Sequence, residues 1–161
     1  TVIECAGAFE TVSTDTEIVS TFRDHVSVTG TNIKLTCDYL RVVALQKNGR
    51  PTALGQYGYF KSLVATGHVR IVQGDREATC GRAEIFPGDD KIVLTESPVV
   101  RSTDDQYVAR GPRMALYRGR RQAVIEGSPD DRVRITLPAL KDLGFDKDQA
   151  PPPATPPPEK K

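Results

Sequence analysis

Five arginines, Arg110, Arg113, Arg118, Arg120 and Arg121, fall within twelve residues, and Arg132 and Arg134 follow closely. A guanidinium presents parallel N–H donors that match a phosphate or carboxylate, so this density predicts an anion-binding patch. Arg113, Arg118, Arg120 and Arg121 are its candidate residues. Two rival readings are a nucleic-acid surface and a solvated sheet edge whose charges discourage aggregation. A formal charge of +1 argues against nucleic acid, as does the scarcity of aromatics among the arginines, with Tyr107 and Tyr117 the ones at hand.

Other groups with chemical potential are sparse. Cys5, Cys37 and Cys80 are spaced by 32 and 43 residues, far from a C-x-x-C metal or redox pattern. Each ends a similar alternating approach, and Gly111 holds the equivalent place later in the chain. They read as a column of small inward residues with free thiols; a disulfide between neighbouring rungs is the alternative. His25 and His68 each precede a valine and read as exposed strand residues. The pairs Asp89-Asp90, Asp104-Asp105 and Asp130-Asp131 stand in turn-like sequence without calcium-loop spacing, so turn formation is expected rather than a metal site. No G-x-S-x-G, H-E-x-x-H or phosphate-cradling loop occurs. The expectation is a protein without catalytic residues, metal or cofactor.

Strands must position whatever functional groups exist. Val26-Ser27-Val28, Ile33 to Cys37, Val69-Arg70-Ile71, Met114-Ala115-Leu116 and Val133 to Leu137 alternate with period two. Turn chemistry separates them at Lys47 to Pro51, Gln73-Gly74-Asp75, Pro87 to Asp90, Arg118-Gly119 and Ser128 to Asp131. The reading is an all-β chain of short antiparallel strands. A shift of 43 residues superposes His25-Val26 on His68-Val69, Thr36-Cys37 on Thr79-Cys80 and Val42 on Ile85. A shift of 31 superposes Ala83 on Met114, Ile85 on Leu116, Leu94 on Ile125 and Ser97-Pro98 on Ser128-Pro129. Repeated strand units stacked on one another are the simplest architecture.

Alternation places Val26, Val28, Leu35, Cys37, Leu40, Val69, Ile71, Ala78, Cys80, Ile85, Leu94, Met114, Leu116, Ile125, Val133 and Ile135 on one apolar face. Facing aliphatic residues across two sheets can close into an ordinary core or leave a slot. At 161 residues and 38% apolar content, one domain with a thin core is expected. Residues 1–148 are assigned to it, with 46–62 as an inserted loop. Within that loop 50–62 is one of two stretches compatible with helix. The other is 138–145, where Pro138 and Gly144 suit a helical turn capping the sheet. Six of the chain's 12 prolines lie in its last eleven residues, so 149–161 reads as a disordered tail or tether, with an SH3-type ligand as the alternative. No run of about 18 apolar residues exists to span a membrane. The chain opens on strand-like alternation without a leader, the expectation for a trimmed or mature form.

The segments Ala65 to Gly74, Ala78 to Phe86, Ile92 to Val100 and Ala123 to Gly127 resemble the LptA/OstA-like family of periplasmic lipopolysaccharide-transport proteins. The similarity covers residues 63–137 closely and 1–45 more loosely. It departs from the family at Cys37 and Cys80, where alanine is usual. What the resemblance implies is a folded-over antiparallel β-jelly roll, or β-taco, whose apolar groove shields acyl chains of lipopolysaccharide or a similar glycolipid. It also implies end-to-end strand pairing with other such modules in a transenvelope bridge, and a periplasmic location. The arginine patch would then hold the phosphorylated headgroup. A structural adaptor that assembles through its strand edges with a filled core is the alternative.

Overall fold

The computed structural model describes residues 1–46 and 57–138, which form one antiparallel sheet of twelve strands; a 3₁₀ turn at Pro87–Asp89 is the sole helical element among them. The strands are β1 (Val2–Glu4), β2 (Phe9–Ser13), β3 (Glu17–Thr29), β4 (Lys34–Gln46), β5 (Tyr57–Gln73), β6 (Arg76–Phe86), β7 (Lys91–Thr95), β8 (Val99–Ser102), β9 (Tyr107–Arg110), β10 (Arg113–Tyr117), β11 (Gln122–Glu126) and β12 (Arg134–Thr136). The sheet does not close into a barrel. Among the described residues β1 and β2 pair only with β3, β11 only with β10, and β12 only with β9.

A line of irregular residues crosses this sheet and divides it into two leaves. Pairing breaks between Arg23 and Val26 on β3, between Thr36 and Tyr39 on β4, and between Thr66 and Val69 on β5. Asp24, His25, Gly67, His68, Glu96 and Ser97 on that line all have positive φ. The first leaf holds β1, β8, β9, β12 and the adjoining halves of β3 to β6. The second holds β2, β7, β10, β11 and the other halves.

Bulges at this crease reset the pleat, so residues on both sides of it point into one interior. Cys37 and Leu40 are three apart and both buried, as are Cys80 and Ala83, although strict alternation would turn one of each pair outward. The inward row of the first leaf runs Ile3, Val28, Leu35, Ile71, Ala78, Val100, Ala109, Ile135 without a break. The neighbouring outward row runs Glu4, Ser27, Thr36, Arg70, Thr79, Val99, Arg110, Arg134. In the second leaf the inward row beside the crease runs Phe9, Phe22, Leu40, Ala65, Ala83, Leu94, Met114, Ile125. Outward positions carry exposed pairs such as Arg70–Glu77 at 3.0 Å and Arg82–Glu84 at 2.7 Å, each contributing little to stability.

Two sequence expectations change. The strands predicted to be short include four of 13, 13, 17 and 11 residues, because alternation that stops at the crease resumes beyond it in the same strand. Residue 46 and residues 57–62, expected in an inserted loop with helical potential, belong to β4 and β5 and pair there. Residues 47–56 lie outside the described residues. So do the proline-rich tail and the expected helical turn beyond Pro138.

Crease glycines carry neighbouring acids. Gly67 has φ +78°, and an added Cβ would lie 2.5 Å from Asp38 Oδ2 and 2.9 Å from its Cβ. Gly74, in the two-residue β5–β6 turn, has φ +60° and open space around it. Gly67→Ala is therefore expected to destabilise by about 2 kcal/mol or more, and Gly74→Ala by about 1 kcal/mol, the difference reflecting crowding at the crease. Urea unfolding of both variants measures it; equal losses would mean that the crease tolerates a methyl group.

Candidate functional site

Beside the crease the leaves pack without a gap. Val26, Cys37, Leu40, Val69, Cys80, Ala83 and Met114 form a buried cluster there. On the β6 to β11 side the leaves leave a cavity of about 610 Å³. The first leaf contributes Ile71, Ala78 and Val100, the second Ile92, Leu94, Leu116 and Ala123, and the turn before β4 contributes Ile33. Ala78 and Ala123 are the small residues of an aliphatic lining otherwise built from isoleucine, leucine and valine.

Polar groups stand at the mouth on both sides. Gln73, Arg76 and Tyr107 come from turns of the first leaf, and Tyr117, Arg118, Arg121 and Gln122 from the β10–β11 hairpin of the second. Among the described residues Arg76, Arg118 and Arg121 have no ion-pair partner within 4.0 Å. Asp75 accepts a hydrogen bond from Ser102 Oγ, and Ser102 Oγ also accepts one from the Asp105 amide at 3.1 Å. These contacts tie the β5–β6 turn to the turn before β9 and so fix Arg76 and Tyr107 on either side of Ser102 in one row. An apolar slot with cationic and phenolic groups at its rim suits an amphiphile with an anionic head.

The residues read from sequence separate into groups. Ile71, Ala78, Leu94 and Leu116 line the cavity, and the first three also belong to the buried core cluster. Val26, Val28, Leu35, Cys37, Leu40, Val69, Cys80 and Met114 lie in the packed core, with Ile85 and Ile125 partly buried against it. Val133 and Ile135 are 39% and 47% exposed, because among the described residues the strand carrying Ile135 has no neighbour on its far side. Of the arginines, Arg118 and Arg121 reach the mouth. Arg120 lies 5.6 Å from the Tyr117 ring centroid and lines a separate recess with Asp89, Asp90 and Lys91, and Arg113 pairs with Glu126 at 3.1 Å near the crease. Sequence reasoning missed Arg76. Its signal was its place directly after the Gly74-Asp75 turn, but 42 residues separate it from Arg118 in the chain.

The cysteines and histidines are not among the residues lining the cavity. All three thiols are free, and burial pushes Cys37 and Cys80 up to about 11, so both stay protonated and unreactive at neutral pH. His25 and His68 are exposed at the crease with φ near +50°, a backbone departure from the plain strand expected for them. His68 Nδ1 lies 2.8 Å from Asp38 Oδ2, which raises its pKa. The aspartate pairs all sit in turns, and no group of metal ligands occurs among the described residues.

The family model for LptA and the LptD N-terminal domain, described as lipopolysaccharide-transport proteins, matches residues 8–122. The chain belongs to this family. Its fold is similar to the crystal structure of LptH from Pseudomonas aeruginosa, the LptA-homologous periplasmic component of a lipopolysaccharide transport device. The two share 15% identity with a TM-score of 0.65, over 85% of this chain and 94% of that one. No curated protein sequence matches the chain. The folded-over jelly roll implied by the sequence resemblance is thus the observed fold, and family membership ties the chain to lipopolysaccharide transport.

The Ser102 contact gives a prediction with a definite sign. Hydrogen bonding from Ser102 holds the Asp75 carboxyl below its usual range, so the contact stabilises the fold above the unfolded carboxylate pKa of about 3.9 and is lost as pH falls through the folded value. Ser102→Ala should melt at a lower temperature than the parent at pH 7, and the deficit should shrink in acid below about pH 4. Thermal melts across that range decide it; a deficit constant with pH would remove Asp75 from the explanation.

Proposed function

We propose that this protein carries the acyl part of lipopolysaccharide, or a closely similar glycolipid, in the cavity between its leaves, as one non-enzymatic module of a periplasmic bridge. The observation that carries this reading is the apolar cavity with Arg76 on one lip and Arg118 and Arg121 on the other. Each methylene moved from water into such a slot gains about 0.8 kcal/mol, so even part of one acyl chain provides a substantial driving force. The cations at the rim lie where a phosphorylated sugar would emerge, and the phenols of Tyr107 and Tyr117 suit the boundary between tails and head. The open edges at β1–β2 and β11–β12 support the bridging part, since unpaired backbone groups there can accept another module's strands.

Two variants test the cargo with different signatures. Ala78→Phe fills the slot and should abolish capture of photoactivatable lipopolysaccharide while leaving the melting temperature close to the parent's. Replacing Arg76, Arg118 and Arg121 together by glutamate should weaken binding of the phosphorylated lipid at least tenfold and leave binding of its dephosphorylated form nearly unchanged, as measured by fluorescence titration. Capture undiminished in Ala78→Phe would overturn the cavity as the binding site. Assembly of the parent protein without uptake of any lipid would favour the adaptor reading.

A further inference from the structure

Arg110 and Arg134 are directly opposed on the β9–β12 ladder and face outward on the same side of the first leaf. Both are exposed, and among the described residues neither has a carboxylate partner. Opposed like charges destabilise a strand pair. They stand at the last strand of the leaf, where β12 has a neighbour on one side only among the described residues. The next position on the inward side is Ile135, an aliphatic residue left half uncovered. An incoming strand would relieve both defects if it carried an acid opposite Arg134 and an aliphatic residue opposite Ile135.

The chain itself has that strand. β1 is the far edge of the same leaf, and it reads Val2-Ile3-Glu4 with Ile3 inward and Glu4 outward and exposed. The unbroken rows put Ile3 level with Ile135 and Glu4 level with Arg134. Because every pair in the leaf is antiparallel and the leaf has an even number of strands, β1 of a second copy meets β12 antiparallel, as the ladder requires. A slip by one residue would turn Ile3 outward and Glu4 into the interior, so the inner face penalises any other register. The second leaf agrees, since its crease-side row sets Phe9 of the second copy, 45% exposed at its own edge, against Ile125.

We infer that the first-leaf junction between two copies of this chain is set by Glu4 of one seated opposite Arg134 of the other, with Arg110 alongside and Ile3 against Ile135. This rests on the edge-pairing part of the proposed function and supplies its partner and register. In sedimentation velocity across a concentration series, Glu4→Arg alone and Arg134→Glu alone should each associate roughly tenfold more weakly than the parent, since each sets like charges face to face. An equimolar mixture of the two variants should recover parental association, because every junction between them again joins opposite charges; the double variant should recover it too. Parental assembly with both single variants unaffected would overturn the register while leaving edge pairing standing. A parent that stays monomeric at every concentration would overturn the edge-pairing reading itself.

Discussion

The crease decides most of this molecule. A lone antiparallel sheet with one apolar face, and no helices among its described residues to cover it, can bury that face only against itself. Folding a sheet across its strands demands that each long strand bend at the same level. Here that is done with bulges and left-handed residues at Asp24-His25, Gly67-His68 and Glu96-Ser97. Residues other than glycine in that region are strained. Their alignment in one line across the sheet means that the burial of both inner faces outweighs the strain of each bend.

A fold made this way is a wedge, and the wedge explains why one protein holds both a dry core and a cavity. Near the crease the leaves are close enough for medium side chains to meet, as Val26 and Val69 of the first leaf and Leu40 and Met114 of the second do, each almost fully buried. Farther from the crease the β3–β4 side buries Val28, Leu35 and Val42, while the β6 to β11 side keeps the cavity, with Ala78 and Ala123 the smallest residues of its lining. Fixing its lips requires turns held to each other, which is the work of Asp75 and Ser102.

Much of this was legible in the residues. The 43-residue repeat corresponds to the β3–β4 and β5–β6 hairpins in register, with Val26 and Val69 buried at matching places just past the crease. The column of small residues through Cys37, Cys80 and Gly111 follows the crease itself, where an added Cβ at Gly111 would meet Ile125 at 2.5 Å. What period-two reasoning could not see was the phase change. Between Cys37 and Leu40 the inward set shifts by one residue, so one strand of 13 residues reads as two short ones. The arginine cluster was visible as density but not as geometry. A hairpin sends successive residues to opposite faces, so Arg113 and Arg118, five apart, end in different environments, while Arg76 arrives at the same mouth from another leaf.

One strand joins the two properties of the fold. β11 supplies Gln122 and Ala123 to the cavity wall, and it is also the open edge of the second leaf. Any strand added there extends the wall of the cavity as well as the sheet, since the inward row through Leu116 and Ala123 continues into whatever pairs next. Two events that share a structural element share a free energy. A ligand that fixes the cavity wall lowers the cost of ordering the edge, and a strand that fixes the edge lowers the cost of ordering the wall, by equal amounts in both directions. In a wedge of this kind the width is limited by the crease, whereas the length grows with each added strand. Under the proposed assembly, capacity for a long apolar cargo would come from extending the stack along its rows, with the leaves held at a fixed spread.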